Sequence, residues 1–278
     1  MKKIKEMIIL FITNLPLFFE RLSIYFGWFS YLLLKSPVKR RLKGVMFEFD
    51  FSLSFYIKDM YFGWYECAVI NFMESVLKHG DTFIDIGANI GYLTARGAGL
   101  VGKTGEVHSF EPALPYFQKL ERLSKMNQDY RILVNHCALG EEDREAELHI
   151  AKGNIGGSFI AVDNGQMDLV KILMRRFDKY AEEKSLKNIK LIKIDVEGYE
   201  FPVLKGCRNY FENTSNKPVI ICEIFPRGYP CRGATITEVL EYMRQYGYKT
   251  YNICHHQEEI DITKVAKEWK DSIIFKPS

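Results

Sequence analysis

Three groups of residues in this 278-residue chain have types and spacings that could do chemistry. The first is Asp85-Ile86-Gly87-Ala88-Asn89-Ile90-Gly91, which follows an apolar stretch and leads into a helical pattern. Gly87 and Gly91 let a backbone turn sharply and pass close to a ligand. Asn89 tolerates the left-handed conformation that such a turn demands. The second is Glu111, directly after the strand-like Glu106–Phe110. An acid at that place in a doubly wound sheet can accept both ribose hydroxyls of a bound nucleoside. The third is a set of acids, Asp195, Glu197 and Glu200 after the apolar stretch Lys190–Ile194, with Glu223 after Pro218–Cys222. Acids at neighbouring strand ends could serve a divalent metal, act as a general base, or balance a cationic cofactor. For any one of them, a helix cap favoured by the helix dipole is the simpler alternative.

Other features qualify this reading. The loop after Asp85 lacks both the GxGxxG spacing of a dinucleotide site and the Lys-Ser/Thr ending of a P-loop, which disfavours a diphosphate cofactor. The passage Asn135-His136-Cys137-Ala138-Leu139-Gly140 ends a third strand, where a residue would flank an adenine edge. His136 there reads as structural, because a lone histidine at a strand end seldom meets the geometric demands of a base. Lys152–Ser158 (KGNIGGS) reads equally as a lid over a ligand and as a surface linker.

The elements that must position these residues alternate. Helical spacing marks Cys67–Lys78, Gly91–Leu100, Pro115–Met126, Asp168–Tyr180, Phe201–Gly206 and Ile236–Tyr246. Strand character marks Thr82–Ile86, Glu106–Phe110, Arg131–Cys137, Ala146–Ile150, Lys190–Ile194, Pro218–Ile224, Lys249–Ile253 and Ser272–Phe275. Such alternation predicts an α/β fold with a mostly parallel, doubly wound sheet, whose ligands bind at the carboxyl ends of the strands. Gly44–Tyr65, rich in Phe and Tyr, reads as one or two short strands, including Leu53–Ile57.

Composition narrows the class. Apolar residues make up 47% and charged residues 26%, as in an ordinary globular domain. The six cysteines contain no CxxC pair, which disfavours a zinc ribbon or a disulfide scaffold and suits a reducing compartment. Residues 1–50 hold nine Lys/Arg against four Asp/Glu, while the other 228 hold 29 against 31, so the body has no basic excess suited to nucleic acid. Two uncharged runs, Met7–Phe19 and Leu22–Leu34, lie between basic flanks and are too short to span a bilayer singly. Joined, they would include Glu20, Arg21 and a kinking Pro16. Residues 1–43 therefore read as a helical segment, either lying in a membrane interface or packed on the body or a second subunit, and residues 44–278 as the catalytic domain. The expected place is the cytoplasm, at the inner face of a membrane if the first reading holds.

The chain resembles the FkbM family of S-adenosylmethionine-dependent methyltransferases. The likeness rests on Asp81–Leu93 (DTFIDIGANIGYL), Phe110-Glu111-Pro112, Ala138-Leu139-Gly140, Leu191–Gly206 (LIKIDVEGYEFPVLKG) and Val219–Ile224 (VIICEI), with Tyr65-Glu66 ahead of them. It covers residues 65–225 and leaves out the N-terminal fifth. It implies a seven-stranded, Rossmann-like methyltransferase sheet with S-adenosyl-L-methionine across the first two strand ends. It also implies roles: Asp85, Gly87, Asn89 and Gly91 for the methionine and ribose loop, Glu111 for the ribose hydroxyls, Ala138 beside adenine, and Asp195 beside the sulfonium methyl. Activity in the family is mostly O-methylation of sugar or natural-product hydroxyls, and a lipid-linked or glycan acceptor would suit an interfacial N-terminus. Asp195 and Glu223 are the candidate proton acceptors; metal dependence is open, with no metal ligands assigned. The alternatives are a nicotinamide-dependent oxidoreductase, disfavoured by the missing GxGxxG, and an inactive cofactor-binding membrane adaptor, disfavoured by the presence of Asp85, Glu111 and Asp195 together.

Overall fold

A computed structural model describes residues 15–150, 158–159, 168–224, 229–230, 234–254, 257–260 and 271–278. The chain divides into two compact units, Met1–Arg40 with Phe47–Tyr65, and Arg41–Met46 with Glu66–Ser278.

The first unit contains α1 (Leu15–Leu34), most of a two-stranded sheet formed by β1 (Val38–Leu42) and β2 (Val45–Phe49), and α2 (Tyr56–Phe62). Pro16 falls in the first turn of α1 as that helix is described, a position where its missing N–H costs little. Most of the earlier apolar run, Met7–Phe19, lies outside the described residues. Among the described residues no helix is long and apolar enough to cross a membrane. The strand expected at Leu53–Ile57 is not formed. Ile57, Met60 and Tyr61 recur at helical spacing and are buried together, and Gly63 closes α2 in the left-handed conformation.

The second unit is built on a seven-stranded sheet. Its strands are β3 (Thr82–Ile86), β4 (Glu106–Phe110), β5 (Arg131–Asn135), β10 (Ile189–Ile194), β11 (Val219–Ile224), β12 (Tyr248–Asn252) and β13 (Asp271–Pro277). Their order is β12-β13-β11-β10-β3-β4-β5. β13 runs antiparallel to both neighbours, and the pairs from β11 to β5 are parallel. The central strands are buried on both faces, which is why TFIDI and IKLIKI read as nearly continuous apolar runs. Helices α3 (Cys67–Val76), α4 (Tyr92–Val101), α5 (Leu114–Met126), α6 (Phe177–Glu183), α7 (Glu200–Lys205), α8 (Arg208–Asn213) and α9 (Ile236–Gln245) connect them. Local chemistry sets several of their starts. Pro115 sits in the first turn of α5. Thr235 and Glu238 form a reciprocal capping box on α9.

A four-stranded sheet, in the order β6-β9-β7-β8, is inserted between β5 and β10 in sequence: β6 (Ala138–Leu139), β7 (Arg144–Ile150), β8 (Ser158–Phe159) and β9 (Asp168–Arg175). The sequence predicted a helix over Asp168–Tyr180, but the first part is strand and only Phe177–Glu183 is helical. Leu169, Ile172 and Leu173 imitate a helical face by spacing, yet Ile172 and Met174 are buried while Leu169 and Leu173 are exposed. That alternation has period two, and a seven-residue antiparallel ladder with β7 outweighs the helical propensity. The loop Lys152–Ser158 lies outside the described residues except for Ser158, which opens β8.

The alternation can be checked by paired substitutions. Leu173→Lys, on the exposed face, should leave thermal unfolding nearly unchanged, whereas Ile172→Lys should destabilise by about 3 kcal/mol because it buries an unpaired charge. Equal losses in a denaturant melt would contradict the strand assignment.

Candidate active site

Parallel strands in this order leave a crevice where the connections diverge, and here that point lies between β3 and β10. The chain passes from β3 out to β4 and β5 and returns to β10 on the other side of β3. The sequence-derived site residues lie in the second unit, and all but Ala138, which is in β6 of the inserted sheet, sit on the turns and strands around this point or on the two strands flanking it.

The turn after β3 is shaped by its glycines. Gly87 has φ 79°, and a Cβ there would lie 1.8 Å from the Asp195 carbonyl oxygen, so only glycine admits the turn after β10 this closely. Asp195 N–H donates to the Ile86 carbonyl at 3.0 Å, and the N–H groups of Gly87 and Ala88 both donate to the Phe110 carbonyl at 3.0 Å. The turn is thereby tied to both neighbouring strands. Asn89 adopts the left-handed conformation, φ 54°, as its residue type foretold. Gly91 starts α4 with φ 86°, close against Leu120 and Leu123 of α5.

Glu111 sits at the end of β4 and is almost fully buried. Its Oε2 accepts from Asn89 N–H and its Oε1 from Ala113 N–H, both at 2.9 Å. Each oxygen retains a lone pair for a further donor. Burial pushes its carboxyl up to about 7, against the pull of those two backbone donors. The structure thus joins the first two sequence signals through one hydrogen bond.

Asp85 is wholly buried in β3, with Oδ2 accepting from Thr94 Oγ1 at 2.6 Å and Oδ1 lacking a hydrogen-bond partner. Thr94 also meets Ser109 Oγ at 2.9 Å. Desolvation raises the Asp85 pKa, opposed by the Lys193 charge and by Thr94. Asp85 therefore acts from beneath the turn.

The acids after β10 and β11 converge. Among the described residues, Asp195, Glu197 and Glu223 each bring a carboxylate oxygen within 4.8 Å of the others, a donor set that a hard cation accepts. Lys193 Nζ donates to Asp195 Oδ2 at 2.8 Å. Burial works against the Lys193 charge, and the carboxylates of Asp195, Glu66 and Asp85 overcome it and hold its pKa well above the ordinary lysine value. Glu200 turns the other way, onto its own loop. Its Oε1 accepts from Gly198 N–H at 2.8 Å, its Oε2 is buried without a partner, and burial pushes its carboxyl up to about 7. Glu200 lies in the first turn of α7 but binds the preceding loop, and α7 has no side-chain cap.

Two candidates stand apart from the acids. His136 stacks on Phe117 at 4.5 Å and its Nε2 lies 3.1 Å from the Pro112 carbonyl oxygen, a structural setting. Ala138 is buried in β6, paired with Met174 of β9. Sequence reasoning missed Lys193, Thr94 and Ser109. A lysine at a position where the strand pattern requires burial was the available signal for the first.

The residues fit S-adenosylmethionine on their own chemistry. Glu111 keeps a lone pair on each oxygen at the end of β4, and Asp195, Glu197 and Glu223 gather their carboxylates at the neighbouring strand ends. A ligand with hydroxyl donors and a positive charge complements that set.

Comparison with known proteins agrees with this chemistry. Residues 85–250 match the family described as Methyltransferase FkbM domain. Methyltransferase 1 of Beauveria bassiana (strain ARSEF 2860) is 27% identical over 164 residues, covering 51% of this chain, and the match spans 66% of that relative's length. A rRNA methylase from Streptococcus thermophilus superposes with a TM-score of 0.43 at 12% identity, over 75% of this chain and 93% of that one. Aeropyrum pernix fibrillarin, solved with natively bound S-adenosyl-L-methionine, gives 0.42 at 10% identity, over 74% and 72%. At such scores the structural likenesses carry no functional weight; the sequence match to the family does.

The close approach at Gly87 predicts that Gly87→Ala forces the β3 and β10 turns apart. With both a positive φ and a backbone clash to relieve, the cost should be about 3 kcal/mol in a chemical denaturation curve. A variant as stable as the parent would show that the contact has no structural weight.

Proposed function

The chain belongs to the FkbM methyltransferase family and carries an S-adenosylmethionine-dependent methyltransferase domain, and we propose that it methylates a hydroxyl oxygen of a sugar, glycan, lipid-linked or natural-product acceptor. The observation that carries the hydroxyl assignment is the pairing of Asp195 with Glu223 at the ends of adjacent strands, next to the turn that holds Glu111.

When bound, S-adenosylmethionine supplies a methyl group on a positively charged sulfur, already attached to a good leaving group. The chain has three tasks around it. Glu111 receives the ribose hydroxyls on its remaining lone pairs, while Asn89 N–H keeps the carboxylate aimed at the turn. Asp85, Gly87, Asn89 and Gly91 shape the methionine and ribose loop, and Ala138 borders adenine. Asp195 or Glu223 accepts the hydroxyl proton as the acceptor oxygen forms its new bond to the methyl carbon and the sulfur–carbon bond breaks. Lys193 fixes one Asp195 oxygen by a charge-assisted hydrogen bond, so the carboxylate meets the acceptor in a set orientation. Alignment of this kind is worth about 7–11 kcal/mol of a bimolecular barrier. Little acid–base power is then needed, which suits a site built from carboxylates.

The oxidoreductase alternative has no support, since the family match and the missing GxGxxG both oppose it.

Binding is tested by thermal shift. S-adenosylmethionine and S-adenosylhomocysteine should each raise the melting temperature, by about 2.7 kcal/mol of stabilisation at a hundredfold excess over Kd, and NAD should not. Glu111→Ala should weaken the adenosyl ligands roughly 10–100-fold through loss of charged hydrogen bonds. The sign of the pH effect follows from the raised carboxyl. Ribose hydroxyls donate best to the ionised form, so affinity should rise as pH passes through about 7, and the slope should vanish in Glu111→Gln. Stabilisation by NAD alone, or an affinity indifferent to Glu111, would refute the donor assignment.

Catalysis is tested with labelled donor against a panel of hydroxyl acceptors. Asp195→Asn should cut kcat about 100-fold or more while adenosyl-ligand affinity stays near the parent's. Undiminished turnover would move the proton acceptor to Glu223.

A further inference from the structure

Most of the large apolar side chains exposed among the described residues gather in the first unit. α1 turns Leu22, Tyr25, Phe26, Phe29, Leu32 and Leu33 outward, with Phe26 72% and Leu33 67% exposed. At about 100° per residue these six fall within one stripe roughly 120° wide. The opposite side is anchored. Trp28 and Tyr31 meet the Phe51 ring at 4.8 and 4.6 Å, and Tyr61 donates its hydroxyl to the Ile24 carbonyl at 2.7 Å. At Gly27 a Cβ would lie 2.3 Å from the Tyr61 hydroxyl, so the glycine lets the helix seat this closely. α1 is therefore fixed by one face while the other offers water a continuous apolar surface, of the size and kind that marks an interaction site.

Two observations select lipid as its occupant. The first is charge: Lys35 and Lys39 follow α1 and are exposed, and the first fifty residues carry a net positive excess while the rest of the chain does not. Basic residues beside an apolar stripe complement anionic head groups. The second is aromatic character. Tyr25 meets Phe62 at 5.9 Å and Phe62 stacks on Trp64 at 5.1 Å, so the stripe runs into a half-exposed tryptophan. Tyr and Trp favour the membrane–water interface, where ring and polar tip are both accommodated. An amphipathic helix of this build suits the plane of a membrane interface.

We propose that the first unit docks on an anionic lipid surface, with α1 in the interface plane, Phe26, Phe29 and Leu33 among the acyl chains, and Lys35 and Lys39 on the head-group phosphates. The proposal goes beyond methyl transfer and does not depend on it.

Co-sedimentation of the full chain with vesicles of phosphatidylcholine, with and without phosphatidylserine, tests it. The parent should bind the phosphatidylserine vesicles and release them as salt rises. Phe26→Ser/Phe29→Ser should lower that binding at least about tenfold, and Lys35→Glu/Lys39→Glu should erase the preference for phosphatidylserine. Both pairs lie in the first unit and outside the residues assigned to the donor site, so the response of the melting temperature to S-adenosylmethionine should persist in both, which keeps this result separate from the donor assignment. Equal binding by the parent and Phe26→Ser/Phe29→Ser would overturn the proposal. So would a parent that ignores both vesicle types, or one that forms a dimer in sedimentation velocity which the serine pair dissociates, because a second copy would then cover the stripe.

Discussion

The contact between the turns that follow β3 and β10 governs the site. Asp195 N–H reaches the Ile86 carbonyl, and the Asp195 carbonyl occupies the space where any side chain at position 87 would stand. Two parallel neighbours are thus locked at their carboxyl ends, where the topology diverges and a crevice must open. Asn89 then reaches Glu111 across to β4, and Asp195 faces Glu223 on β11. A glycine with positive φ at a single position sets the spacing between the turn that reaches Glu111 and the turn that carries Asp195.

The electrostatics follow from that packing. Closing the turns buries Asp85, Glu111 and Glu200, and the burial raises their carboxyl pKa values. Lys193 is the buried cation among them and is held charged by several carboxylates at once. Carboxylates gathered at neighbouring strand ends in this way complement a cationic ligand rich in hydroxyls.

The two units illustrate different uses of apolar sequence. In the second, Ile, Val and Phe vanish into a sheet covered on both faces. In the first, an equally apolar helix keeps one face in water despite a well-packed opposite face. The average globular composition of the chain conceals this contrast, which depends on where the apolar residues are and not on how many there are.

Much of this was legible in the residues. The seven sheet strands were found within a few residues of their observed ends, since buried parallel strands are short apolar runs bounded by turn chemistry. The left-handed turn at Gly87 and Asn89 could be read because few residue types suit it, and Glu111 stands at the strand end where the pattern put it. The misreadings share a cause. Leu169, Ile172 and Leu173 satisfy helical and strand spacing about equally, and only the ladder with β7 decided between them. Leu53–Ile57 looked extended until burial of Ile57, Met60 and Tyr61 on one side favoured a helix. The partners of the site acids could not be read at all. That Lys193 turns to Asp195, that Asp85 serves Thr94, and that Glu200 caps its own loop are consequences of which side chains burial forces together. Sequence by itself determined most of the elements and the residue types at their ends, because local pattern and turn chemistry act over a few residues. Tertiary structure alone decided which charges meet, because pairing depends on distances between segments as much as 127 residues apart, from Glu66 to Lys193.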